Sequence, residues 1–283
     1  FYRNQKRLVS IGSSEMNLAV LHIFAMLYQE TQDQKYLDFA LEIEQDLSHE
    51  EAGNYINHAL SGREFFECPK PRWESLHVIM GIAELSACTG NTKYLQAARQ
   101  IFYSILKTDV HNTGAFSTDE QAIGHPFKNG AIETCCVVAY IALACQLLKF
   151  ENELRIVDFL ELSFFNAVKG IFSPSGRWST YNTPMDGEKL ANYHSIVFQS
   201  RPGSPDLNCC SVNAPRGIGL LNEWMIREQD GTVYINYFED FTAEADSGLS
   251  IEVTGGYPAQ NRILIRLFSP QSQQIAIRIP LWS

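Results

Sequence analysis

Up to about residue 228, apolar residues recur every three or four positions, the spacing that turns one face of a helix toward a core. Examples run through Met16, Leu18, Ala19, Leu21, His22, Ala25 and Leu27, through Leu37, Ala40, Leu41 and Ile43, and through Val78, Ile79, Gly81, Ile82 and Leu85. Later ones pass through Ala139, Ile141, Ala142, Ala144 and Cys145, and through Ile156, Phe159, Leu160 and Phe164. After Gly231 the period falls to two, with Val233, Ile235 and Tyr237, then Ile251 and Val253, Ile263, Ile265 and Leu267, and Ile275, Ile277 and Ile279. That alternation predicts antiparallel strands, and the Gly255-Gly256-Tyr257-Pro258 run marks a turn between them. The pattern predicts a helical domain over 1–230 and the beginning of an antiparallel β-sandwich over 231–283.

The helical part repeats itself. Thr31 to Leu37 (TQDQKYL) matches Thr89 to Leu95 (TGNTKYL) at an offset of 58, and Asn152-Glu153-Leu154 falls where a third copy would stand. Glu15, Glu74 and Glu133 each open an apolar helix at a spacing of 59. One unit reads as helix, short polar turn, helix, longer loop. Stacked αα-hairpins of this kind bury one continuous core. The long loops at 49–73, 108–130 and 170–208 favour a closed ring of hairpins with one functional rim over an open solenoid.

A chain of 283 residues that is 45% hydrophobic has ample material for a large core. The net charge of −10 and the lack of a Lys/Arg cluster exclude a nucleic-acid or anionic-membrane partner, and fit a neutral, hydroxyl-rich ligand. No run of 18 apolar residues suggests a membrane span. The chain opens on Phe1-Tyr2 without an initiator Met and closes on Leu281-Trp282-Ser283, so it reads as a piece of a longer protein.

Seven cysteines, an odd number and clustered, do not form a secreted disulfide framework; a reducing, cytoplasmic setting or metal protection of the thiols fits better. The informative ones are Cys209-Cys210 and the Glu133-Thr134-Cys135 segment. Three thiols and a carboxylate suffice for four-coordinate Zn²⁺, which could hold structure or tune a thiolate as nucleophile. Glu133 and Cys135 fall on the first turn of a helix, and Cys209-Cys210 precede another, whose regular part Pro215 is expected to delay. Cys136 reads as a core residue. Candidate sugar contacts in the surrounding segments are Trp73, His77, Glu120, His125, Trp178, Tyr181, His194, Asn213 and Arg216.

These pieces resemble the β-L-arabinofuranosidases of glycoside hydrolase family 127. The resemblance is carried by Glu133-Thr134-Cys135, by Cys209 to Arg216 (CCSVNAPR) and by Glu74-Ser75-Leu76-His77. Arg278 to Trp282 (RIPLW) and Glu15 to Ala19 (EMNLA) extend it over nearly the whole chain. It implies an (α/α)6 barrel, here without its first helices, followed by the start of a β-sandwich. It also implies a zinc-dependent retaining glycosidase acting on a small-molecule or oligosaccharide substrate. Cys209 takes the place of the nucleophile, and Glu133, Cys135 and Cys210 those of the other zinc ligands. Glu120 takes the place of the acid/base, with Asp119 in reserve, because Asp119-Glu120-Gln121-Ala122 stands where the family commonly has Gly-Glu-Ala-Phe. Association of copies, if any, is expected through the β region. The alternatives are an inactive zinc-stabilised carbohydrate-binding protein and, more remotely, a sugar epimerase, which would rely on histidines instead of thiols.

Overall fold

The computed structural model describes residues 7–117, 120–127, 131–184, 189, 191 and 208–283. In chain order its helices are α1 (Ser14–Asn17), α2 (Val20–Thr31), α3 (Gln34–Leu47), α4 (Tyr55–Leu60), α5 (Ser75–Thr89) and α6 (Thr92–Thr108). They continue with α7 (Thr134–Leu148), α8 (Leu154–Ser163), α9 (Lys169–Ile171), α10 (Cys209–Gly219) and α11 (Leu221–Trp224). The segment 49–73, expected as loop, carries α4 and two short 3-10 turns.

The repeated heptapeptides are the turns of two αα-hairpins, α2–α3 and α5–α6. In each, a threonine hydroxyl bonds back to the carbonyl four residues earlier at 2.6 Å, Thr31 to Leu27 and Thr89 to Leu85. Gln32 and Gly90 then take the left-handed conformation that ends a helix. Asp33 and Asn91 cap the next helix by accepting from the Lys35 and Lys93 amides at 3.1 and 3.2 Å. The third unit, α7–α8, keeps the hairpin but ends α7 on Lys149 without the left-handed residue. Among the described residues these three hairpins stand with α10 beside them, and closure into a ring of six hairpins is not established by them.

Helices α2, α5, α7 and α10 pack side by side as one layer, with α3, α6 and α8 backing it. Helix α7 (TCCVVAYIALACQLL) carries no charge and is buried over its whole length, as expected of a helix enclosed on all sides. Buried Glu84 of α5 accepts from Gln29 of α2 and Gln146 of α7, both at 2.6 Å, and so ties three helices at one point. Helix α10 approaches α7 closely at Gly217, where a Cβ would meet Val138 Cγ2 at 3.2 Å.

Strands β1 (Ala131–Glu133) and β2 (Asn182–Pro184) form a short antiparallel ladder at the start of α7. The remaining strands are β3 (Ile226–Gln229), β4 (Thr232–Ile235), β5 (Phe241–Glu244), β6 (Ser250–Thr254), β7 (Leu264–Phe268) and β8 (Gln274–Ile277). They form two sheets, β3-β4-β8 and β5-β6-β7, which share a small core of Val233, Ile235, Leu249, Ile251 and Val253. The expectation of purely antiparallel strands needs one correction. After the β5-β6-β7 meander the chain returns to the first sheet, and β8 lies parallel to β4. Buried Arg278 then fastens this region to α8, with Nη1 2.6 Å from Asp158 and Nη2 2.5 Å from Glu161.

Candidate active site

The amino ends of α7 and α10 meet. Glu133 is the residue before α7 and leaves its carboxylate free of any capping bond, while Cys135 sits in the first turn. Helix α10 begins at Cys209, six residues ahead of Pro215 and not after it. Asn208 forms a capping box with Ser211, which nucleates the helix early and leaves Pro215 inside. Three sulfurs and a carboxylate are thereby gathered with their ligand atoms within 4.8 Å of one another. Cys135 Sγ lies 3.2 Å from Cys210 Sγ and 3.7 Å from Cys209 Sγ, and the two vicinal sulfurs are 4.0 Å apart. Cys210 Sγ is 3.7 Å from Glu133 Oε1.

The donor set fits a tetrahedral metal. Bonds of about 2.3 Å to sulfur at tetrahedral angles require sulfurs ~3.75 Å apart, which the three separations bracket. Protonation supports the same fit. Burial, then the charges of Glu120, Cys209 and Glu74, pushes Glu133 up to about 8. Cys210 is pushed up by burial, and Cys135 by its hydrogen bond to Cys209. Cys209, accepting first from Cys135 and then from Cys210, is held down at about 3. Four acidic donors packed this closely favour one negative charge among them, whereas a dication would let all four ionise. The positive ends of α7 and α10 act in the same sense.

The surroundings sort the predicted contacts. Tyr181 is brought in by the β1–β2 ladder. Its carbonyl accepts from Thr134 N–H at 2.9 Å, Thr134 Oγ1 bonds to Thr180 O at 2.8 Å, and the ring packs against Cys135 and Cys210. Its hydroxyl donates to Cys209. Trp73 packs on the same cluster, with His77 edge-on to it at a ring separation of 6.0 Å. Burial, then the charges of Arg216 and His22, lowers His77 to about 4, so the ring is neutral.

Asn213, a candidate sugar contact, places its Nδ2 3.2 Å from Cys135 Sγ, one helical turn beyond Cys209. Arg216, another turn on, is exposed. Cys136 is in the core as expected, and its Sγ also stands 3.7 Å from Glu133 Oε2. Glu120 adopts φ 65° with its carboxylate 2.9 Å from Arg72 Nη2, close enough for its charge to act on Glu133 and Tyr181.

His125 is exposed and stacks on Phe127, and Trp178 directly follows a turn, its carbonyl accepting from Ser173 N–H; neither has a described contact with the cluster. His194 and Asp119 lie outside the described residues. Arg72 was not singled out by sequence reasoning. Its signal is local: it stands two residues before the helix-opening Glu74 and needs a carboxylate partner.

A layered array of αα-hairpins that brings three thiols and a carboxylate to converging helix ends is a helical domain with a metal-competent thiolate centre. The chain belongs to the family described as the β-L-arabinofuranosidase GH127 catalytic domain, whose profile matches residues 2–222. Among solved structures, a GH127 β-arabinofuranosidase superposes with a TM-score of 0.70 at 23% identity, over 95% of this chain and 42% of that one. The crystal structure of a GH127 β-L-arabinofuranosidase from Geobacillus stearothermophilus T6 gives 0.70 at 16% identity, over 95% and 47%. A third, described as a glycoside hydrolase, gives 0.65 at 15%, over 92% and 48%. The chain therefore spans less than half the length of these relatives. No curated protein matches significantly. No helix of the described residues is long and apolar enough to cross a membrane.

Proposed function

We propose that the chain carries the catalytic centre of a zinc-dependent retaining glycoside hydrolase with a cysteine nucleophile, releasing terminal β-L-arabinofuranose or a related sugar from a small glycoside or oligosaccharide. In this reading residues 1–230 belong to a six-hairpin barrel and 231–283 open a β-sandwich. The observation that carries it is an asymmetry of exposure: Cys135, Cys210 and Glu133 are buried, and Cys209 alone of the four is partly exposed. A ligand with no further task has no reason to face solvent, whereas a nucleophile must be reached by substrate.

Glu133, Cys135, Cys209 and Cys210 would hold the zinc, which when bound keeps the thiols ionised at neutral pH. The Cys209 thiolate attacks the anomeric carbon and the carbon–oxygen bond to the leaving group breaks. Glu120 gives its proton to that departing oxygen. In the second half-reaction Glu120, now a carboxylate, takes a proton from water. The water oxygen bonds to the anomeric carbon, and the carbon–sulfur bond breaks to restore the thiolate. Two displacements at one carbon retain its configuration.

The test uses the reduced, zinc-loaded chain and p-nitrophenyl β-L-arabinofuranoside. Wild type is expected to release arabinose, and Cys209→Ser to release none while still binding sugar. Glu120→Gln is expected to accumulate a pentose adduct on Cys209, visible by mass spectrometry. Appreciable turnover by Cys209→Ser under zinc saturation would overturn the nucleophile assignment.

A further inference from the structure

The four residues that lead into α5 are laced to the Glu120 loop. Ala122 N–H donates to Pro71 O at 2.8 Å and Trp73 N–H to Glu120 O at 3.1 Å. Arg72 pairs with Gln121 as an isolated antiparallel bridge. These bonds hold Glu120 in the left-handed region, which a non-glycine residue adopts only when its surroundings impose it.

The side chains extend the lacing. Arg72 Nη2 is 2.9 Å from Glu120 Oε2, while its Nε and Nη2 grip both oxygens of Glu74 at 3.0 and 2.8 Å. Glu74 therefore fixes the plane of the guanidinium, and the guanidinium fixes one oxygen of Glu120. The neighbouring residue, Trp73, packs on the cluster of Cys135, Cys210 and Tyr181. One short stretch thus touches the carboxylate loop with Arg72 and the thiol cluster with Trp73.

We propose that Arg72, oriented by Glu74, is the positioning residue for Glu120, setting where that carboxyl group stands relative to Cys209 during hydrolysis. The inference rests on Glu120 being the acid/base. The division of bonds suits that task. One guanidinium serves two carboxyl groups, and the two-point grip goes to Glu74. Among the described residues Glu120 keeps a single side-chain bond through one oxygen, so it can hold a proton on the other and release it without losing its place.

The experiment compares Arg72→Met, Arg72→Lys, Glu74→Gln and Glu120→Gln in the zinc-loaded full chain. The probes are methyl and 2,4-dinitrophenyl β-L-arabinofuranosides, and kcat/KM reports the first displacement. A methyl glycoside needs acid assistance and a dinitrophenyl glycoside does not. Glu120→Gln is expected to lose about 100-fold or more on the methyl glycoside alone. Arg72→Met is expected to follow it, losing on the order of 10- to 100-fold on the methyl glycoside, in kcat more than in KM, and under about threefold on the dinitrophenyl glycoside. Arg72→Lys should recover part of the loss, and Glu74→Gln should show the same leaving-group dependence more weakly.

Equal losses on both substrates, or none, in Arg72→Met would overturn the inference. If Arg72→Met does not fold, Glu74→Gln decides by the same criterion. Leaving-group dependence in Glu120→Gln without it in the Arg72 and Glu74 variants sinks this inference alone. Its absence in Glu120→Gln sinks the acid/base assignment as well.

Discussion

Replacing Asn213 by Ala tests whether this side chain serves the metal centre or the sugar. Its Nδ2 donates to Cys135 Sγ at 3.2 Å from a half-buried position on α10. A hydrogen bond to an ionised acceptor contributes about 1.5–3 kcal/mol, which corresponds to roughly 10- to 100-fold in the affinity for zinc, the range found for residues that orient metal ligands. The Ala variant should therefore bind zinc about 10- to 100-fold more weakly. With no ion bound, Cys135 keeps its proton and the bond is weak, so the apo proteins should melt within a few degrees of each other. Asn213→Asp should bind zinc more weakly still, since it sets a carboxylate against the thiolate. Competition with a chromophoric chelator measures the affinity, and melting with and without chelator gives the stability comparison. Wild-type zinc affinity with a raised KM in Asn213→Ala would refute the reasoning and return the residue to the role its sequence position suggested.

Two further outcomes are expected. His77 titrates at about 4 in the folded protein, below the ordinary 6.5, so the unfolded chain takes up a proton that the folded chain refuses between these values. Stability should fall as pH drops from 6.5 to 4 by up to about 3 kcal/mol from this residue, and His77→Gln should flatten that part of a urea-denaturation profile; an unchanged slope would count against a half-buried neutral ring. Arg278→Met leaves Asp158 and Glu161 facing each other without their buried cation, and should destabilise the packing of the strands on α8 by about 3–5 kcal/mol; a loss under about 1 kcal/mol by calorimetry would show that the pair is merely tolerated.

Much of this was legible because local chemistry enforced it. The Thr-x-Asx turn followed by Lys-Tyr-Leu can close one helix and cap the next without tertiary help, so the hairpins at 31–37 and 89–95 were readable. Glu133 with Cys135, and Cys209 with Cys210, were readable as a donor set because thiols at helix starts are uncommon and these complete one coordination shell. The β1–β2 ladder was not readable, since three-residue strands carry no period. Tyr181's place depends on that ladder, so its inclusion among the site residues rested on residue type. The parallel return of β8 was hidden because alternation reports which faces a strand buries and says nothing of its partner's direction. Spacing put Asn213 on the same helical face as Cys209, but that face meets both the thiols and open solvent. Only the packing of α10 on α7 decides which of these the amide reaches.

The use of two helix ends, one from each of two packed helices, has a consequence for how the centre is divided. Cys135 and Glu133 are carried by α7, which is buried along its whole length and cannot shift without disturbing the core on every side. Cys209 and Cys210 are carried by α10, which has one face against α7 and another that leaves Val212 and Ile218 exposed. One half of the ligand set is therefore buried with α7 in the core, and the half that contains the partly exposed sulfur sits on α10, the less enclosed of the two helices among the described residues. Under the proposed reaction, a nucleophile that leaves its protonation partners, bonds to carbon and returns is served by that asymmetry. A purely structural zinc site would gain nothing from placing one of its sulfurs there.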